Sequence, residues 1–201
     1  MPPAEDIQQF LTGAWRLMMG KPDGIRLMDI SADGFWNSFF AIVISLPVLV
    51  VGWVVVANDL SQDPDIAGGR FSIFLRLGLA DLGSWLIPIG VLALVARPAG
   101  IGSRFVHYVV ASNWGSALLI WLMLPPALLR LFVPAAGEPA SLMSLVLFLI
   151  SMVLFWRLTN AVLGKGPALA SAVFVGMFAV SLAVLFGLQA LLGLGAGTGA
   201  T

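Results

Sequence analysis

Asp81 is the residue of this chain with the strongest chemical potential, because it lies in a run without any other charge from Leu77 to Ala96. A carboxylate placed centrally in hydrocarbon costs about 2.5–3.5 kcal/mol on insertion scales, so it needs a partner or a task. Ser84 and Pro88 share its helical face at i+3 and i+7. Counting about 20 residues back from Arg97 places the outer boundary near Leu77. Asp81 is then about one turn inside, and Arg76 sits at the interface, where its stem can snorkel. One reading is a proton- or cation-coupling carboxylate. The other is a structural pair with an arginine, or a cap to another helix. The lack of a second intramembrane carboxylate weighs toward the structural reading.

Two further polar pairs lie within apolar segments. Arg157 and Asn160 occupy neighbouring positions, i and i+3, near the end of one such segment. They fit a snorkelling arginine with an interhelical amide hydrogen bond, or recognition of a lipid phosphate through two parallel bonds from the guanidinium. Asn113 and Ser116 form a similar pair, and asparagine in a span usually joins helices. His107 and Tyr108 fall at a span end, an ordinary place for amphipathic rings. With no cysteine and one histidine, thiolate and multi-histidine metal sites are excluded within one chain. No catalytic constellation, metal site or cofactor motif assembles, so the chain reads as non-enzymatic.

Elements that could position these residues follow from composition. The 201 residues are 60% hydrophobic and 10% charged, with mean hydropathy +1.02. A soluble domain is about 45–50% apolar and about 25% charged. The excess excludes a soluble enzyme, a disordered chain and a nucleic-acid binder. Ten basic and ten acidic residues cancel. Five segments reach the length that a bilayer requires: Phe35–Ala57, Phe71–Ala96, Phe105–Leu124, Leu142–Leu163 and Ala168–Leu192. Pro47, Pro88 and Pro125-Pro126 interrupt three of them. In transporters such breaks often line sites; in a small bundle they only shape packing. The predicted fold is all-α: a polytopic membrane helix bundle of five transmembrane helices, preceded by an amphipathic interfacial helix. Residues 1–34 form a cytoplasmic amphipathic segment, 35–192 the five-span domain, and 193–201 a flexible C-terminal tail. The acidic start argues against a signal peptide.

In the first segment Ile7, Phe10, Leu11, Ala14, Trp15 and Met18 recur at helical spacing and make one apolar face. Pro2-Pro3 can start this helix and Gly20 can end it. Phe10, Trp15 and Arg16 are assigned to the membrane surface, with Trp15 and Arg16 in the headgroup layer. The same pattern also fits a short helix packed on the ends of the spans. In the last span Ala168, Ala172, Gly176, Ala179, Ala183, Gly187 and Ala190 recur with steps of 4, 4, 3, 4, 4 and 3. Such a ridge lets backbones approach closely, so it is expected to pack within the monomer or to form a homodimer.

An amphipathic helix with Trp15 leads through Gly20-Lys21-Pro22-Asp23-Gly24 into five spans. The loop Arg97–Arg104 feeds a span ending at Pro125-Pro126. Trp156-Arg157-Leu158-Thr159-Asn160-Ala161 and Gly166-Pro167-Ala168 then introduce a last span rich in small residues. This layout resembles the Yip (Ypt/Rab-interacting protein) domain family in its short bacterial form. The resemblance implies a five-span, N-inside protein that shapes membrane or organises partners. The Asp-Leu-Tyr-Gly-Pro motif of eukaryotic members is absent, and the segment of about 34 residues before the first span is too short for their extended Rab-binding region. GTPase binding and site residues therefore do not transfer.

Together these features predict a membrane organiser or scaffold acting through itself, lipid or another membrane protein. The alternative is a small transporter or transporter subunit that uses Asp81 and the proline-broken helices. Its expected partners are the lipid bilayer and a homodimer mate or other membrane protein. Arg16, Lys21, Arg26, Arg97, Arg104, Arg157 and Lys165 share one side of a five-span chain; Arg70, Arg76 and Arg130 share the other, together with the Asp59, Asp63 and Asp65 cluster. The positive-inside rule then places the N-terminus in the cytoplasm and the C-terminus outside, in a bacterial inner membrane. Single cysteines at Ser103 and Thr198 should label from opposite sides in intact cells. Labelling of both from one side would overturn the five-span topology.

Overall fold

A computed structural model describes residues 2–194 except 64, 65 and 67. The expected tail beyond residue 194, including Thr198, and Asp65 of the acidic cluster lie outside the described residues.

Among those residues there are eight α-helices. Helix α1 spans Ala4–Met18 and is followed by a 3-10 segment, Pro22–Leu27. Helices α2 (Ala32–Ser38) and α3 (Phe40–Leu60) make the first long apolar segment, and α4 covers Arg70–Val95. Helices α5 (Phe105–Leu122) and α6 (Leu124–Phe132) run as one interrupted segment. Helices α7 (Gly137–Leu163) and α8 (Pro167–Leu191) complete the set. Five stretches are long and apolar enough to cross a membrane, with lengths of 25 to 31 residues. The chain is therefore an all-helical, multi-pass membrane protein that contacts the bilayer.

Three boundaries differ from those read in the sequence. The first span starts earlier, at Ala32, because the Ser31 hydroxyl accepts a bond from the Gly34 amide and caps α2. The third span does not stop at Pro125-Pro126 but continues to Phe132. Both prolines fall in the first turn of α6, where amides have no intrahelical acceptor and their loss is harmless. The fourth span starts at Gly137, not Leu142. Pro47 lies inside α3 and removes the donor for the Val43 carbonyl. Near that break the Trp121 indole donates to the Ile44 carbonyl at 3.1 Å, so a neighbouring helix supports the opened ladder.

The five long helices close into a ring. Helix α3 packs on α4, α4 on α8, α8 on α7, α7 on α5, and α5 back on α3. At one end Lys165 Nζ donates to the Gly100 carbonyl, joining the α4–α5 and α7–α8 turns. At the other end Arg130 faces Asp59 at 3.4 Å, and Arg76 Nη1 donates to the Leu192 carbonyl at 3.3 Å. Alternating helix directions therefore gather the seven expected cations at the first end and the other three at the second.

Helix α1 is amphipathic as expected, but its apolar face is covered by protein. Ala14, Leu17 and Met18 are completely buried, and α1 packs on α5, α7 and the 3-10 segment. Phe10 meets Trp114 with ring centroids 5.2 Å apart, so it belongs to the core and not to the membrane surface. Trp15 stays half exposed, and Arg16 bonds Asp23. The helix ends in a Schellman turn: the Gly20 amide bonds the Leu17 carbonyl and the Lys21 amide bonds that of Arg16. Gly20 has φ +76°, which only glycine adopts without strain.

Gly13 and Gly24 let the backbones of α1 and the 3-10 segment touch. A Cβ on Gly13 would lie 2.7 Å from the Gly24 carbonyl oxygen, and one on Gly24 would press still closer on that of Gly13. Neither backbone can yield without moving the helix. Gly24→Ala is expected to destabilise by about 1–3 kcal/mol. Gly52→Ala, which meets nothing within 4 Å, should be neutral or stabilising. Thermal unfolding in detergent checks this; equal midpoints for the two variants would overturn it.

Candidate functional site

The five long helices all contribute to the wall of a partly open cavity of about 450 Å³. Helix α3 supplies Leu49. Asp81, Ser84, Trp85 and Pro88 come from α4, and Ser112, Asn113 and Ser116 from α5. Ser151 and Phe155 of α7 and Phe174, Phe178 and Ser181 of α8 complete the polar and aromatic wall. Asp81 and Asn113, singled out separately in the sequence, thus meet at one site.

Asp81 Oδ2 accepts the Trp53 indole N–H at 2.6 Å, from α3 to α4. The expected arginine pair does not form: Arg76 bonds Ser72 Oγ at 2.9 Å and the Leu192 carbonyl instead. Asp81 therefore joins two helices and also presents a carboxylate to the cavity, without a paired cation among the described residues. Pro88 lies inside α4 and deprives the Ser84 carbonyl, one turn earlier, of its helical donor. The hydroxyls of Ser84, Ser112 and Ser151 donate back to their own helices and keep lone pairs free. Those of Ser116 and Ser181 have no hydrogen-bond partner among the described residues. The polar part of this wall is thus rich in acceptors.

On α7 and α8, phenylalanine rings form a continuous strip along the cavity wall. Phe155 and Phe174 are 6.3 Å apart, and Phe174 and Phe178 are stacked at 6.4 Å with an interplanar angle of 6°. Asn113 acts as the expected helix joiner. Its Oδ1 accepts from Trp85 Nε1 at 3.0 Å, and its Nδ2 donates to Ser38 Oγ at 2.9 Å. Sequence reasoning missed Trp53 and Trp85. Their signal was an indole N–H in mid-span, a donor that must find an acceptor there.

A second cavity, of about 550 Å³, lies at the end of the ring where α1 docks. Arg26, Arg104, Trp156, Arg157 and Asn160 line it, together with Asp23. Arg157 does not snorkel away: its Nη2 donates to the Met19 carbonyl at 2.7 Å and caps the end of α1. The Asn160 side-chain amide makes no interhelical bond among the described residues and lines this cavity. A hydrogen bond from Arg16 holds the Asp23 carboxyl below the usual carboxylate range. His107 lines neither cavity, and no cluster that could hold a metal ion exists among the described residues.

The ridge on α8 faces away from the ring. Ala168, Ala172, Gly176, Ala179, Ala183, Gly187 and Ala190 are all exposed, and the cavity receives the larger Phe174, Met177 and Phe178. A Cβ on Gly176 or Gly187 would meet nothing within 4 Å. The expectation of packing within the monomer is therefore corrected. Phe174 and Phe178 line the cavity, and the small residues lie on the outer side with the exposed Val175 and Phe186.

Compared with family models, curated proteins and solved structures, the chain matches none of them.

With the ridge outside the bundle, Gly176→Leu and Ala183→Leu are expected to leave the stability of the monomer within about 0.5 kcal/mol of the parent. Chemical unfolding in detergent tests this. A large loss in both variants would restore the ridge to the monomer's interior.

Proposed function

We propose that this multi-pass membrane protein is a non-enzymatic binder and carrier of a small lipophilic organic cation, held in the central cavity. The observation that carries the proposal is Asp81, which has no paired cation among the described residues and lines a cavity whose wall also holds phenylalanine rings of α7 and α8. A carboxylate supplies charge, and ring faces attract a desolvated cation by about 2 kcal/mol or more. The volume lies in the range of small-molecule sites. The broken ladder at Pro88 adds a free carbonyl in the same segment. The seven cations at one end support an orientation with that end and α1 in the cytoplasm of a bacterial inner membrane.

A second reading has its own observation. The exposed ridge of α8 gives a second copy of the chain, or another membrane protein, a flat surface for close helix contact. On that reading the protein organises membrane through self-association. The layout of an amphipathic helix before five spans supports the Yip-like relationship that would go with it. A fall in oligomer size of the two leucine variants, by light scattering, separates this reading from the first.

The carrier reading is tested with tetraphenylphosphonium and its isosteric anion tetraphenylborate, titrated into the detergent-purified chain and followed by tryptophan fluorescence. The parent should bind the cation in preference to the anion. Asp81→Asn keeps an acceptor for Trp53 and should fold, yet lose roughly tenfold or more in cation affinity, since breaking a desolvated charge pair costs about 2–5 kcal/mol. Equal affinity for the two ions in the parent, or an unchanged preference in the variant, would sink the proposal.

A further inference from the structure

The cavity beneath α1 brings together three guanidiniums from three elements. Arg26 comes from the 3-10 segment, Arg104 from the start of α5, and Arg157 from the last turns of α7. Among the described residues Arg26 and Arg104 have no side-chain hydrogen bond or ion pair, and the Asn160 side-chain amide is equally unengaged. Arg157 uses Nη2 for the Met19 carbonyl, and its other N–H groups have no partner among those residues. The one acidic group in the wall, Asp23, is bonded by Arg16 from outside the cavity. Three guanidiniums against one carboxylate that is already bonded leave this wall with an excess of positive charge, which an anion would relieve.

The surroundings narrow the class of anion. On α7 the exposed large apolar residues run from Leu142 to Val153 and then stop, and the cavity wall begins at Trp156. Trp156 is anchored by its indole N–H to Ser171 Oγ at 3.0 Å, and tryptophan favours the level of lipid headgroups. The cavity therefore stands at the edge of the lipid-facing belt, where water and headgroups meet. Forked guanidinium donors match the oxygens of a phosphate in pairs. A Cβ on Gly20 would lie 3.1 Å from Arg157 Nη2, so the glycine ending α1 also leaves room for this guanidinium.

We infer that the cavity formed by Arg26, Arg104, Arg157 and Asn160 binds a phosphate group, carried by an anionic phospholipid headgroup or present as the free anion. This site is separate from the central cavity and does not rest on the carrier reading. Arg157 would contribute two roles at once, capping α1 and donating to the phosphate. Occupancy would add a link between α1, α5 and α7 at the end of the bundle.

The full chain, purified in mild detergent, is mixed with micelles containing phosphatidic acid or phosphatidylcholine, and retained lipid is counted by native mass spectrometry. Retention of phosphatidic acid over phosphatidylcholine is expected. Arg26→Gln and Arg104→Gln change exposed, unbonded side chains and should fold; each should weaken retention about tenfold. Arg157→Lys keeps the charge but loses the fork, and should weaken it as well. If inorganic phosphate at matched ionic strength displaces the lipid and shifts the melting temperature alone, the same site belongs to the soluble anion. Equal retention of both lipids with no response to phosphate overturns the inference. So does undiminished retention in both glutamine variants.

Discussion

The bond pair on Asn113 holds the architecture together. Its amide is almost completely buried, accepts from Trp85 of α4 and donates to Ser38 at the end of α2. In hydrocarbon such a group has no solvent to fall back on, so its partners are fixed once the helices meet. The neighbouring residues then have determined positions. Trp114 receives Phe10 of α1. Gly115 is hemmed in by Leu158 of α7 and Met18 of α1, either of which an added Cβ would strike. Ser112 and Ser116 turn toward the cavity. Five consecutive residues of α5 thus set the rotation of α4, the seat of α1 and one wall of the site.

The span count was legible because the bilayer imposes a length and composition that few other structures share. Asn113 and Asp81 were legible because a polar group in an apolar run must be accounted for. The direction that each span faces was not legible. In a soluble helix, hydrophobicity separates inside from outside, but here lipid and core are both apolar. The ridge on α8 shows the consequence: its small residues suggested an interior contact, and the rings between them occupy that side instead. Which face turns inward depends on how the span packs on the other helices, and that is not written in one span's own sequence.

Helix α1 illustrates a different ambiguity. Its period fixed the element and its apolar face, and Gly20 fixed its end. Whether that face meets lipid or protein depends on Trp114, Gly115, Leu158 and the guanidinium of Arg157, all remote in sequence. The basic cavity was half legible for the same reason. Arg157 and Asn160 stand out within their span, whereas Arg26 and Arg104 look like ordinary loop cations until the fold brings them together.

Helix α7 shows where the central cavity ends. Phe148, Ser151, Met152 and Phe155 face the central space at helical spacing. The stripe continues through Leu158, Thr159 and Val162, but these are buried. Tyr108 is buried as well, and Met18 and Leu158 meet over Gly115. The ring of five helices is thus filled at this end by its own side chains and by α1 lying across α5 and α7. The amphipathic helix serves as the floor of the bundle, and its cap by Arg157 ties that floor to the helix whose preceding turn lines the site. Phe155 faces the central cavity while Trp156 and Arg157 line the basic one, as the rotation of about 100° per residue in a helix permits.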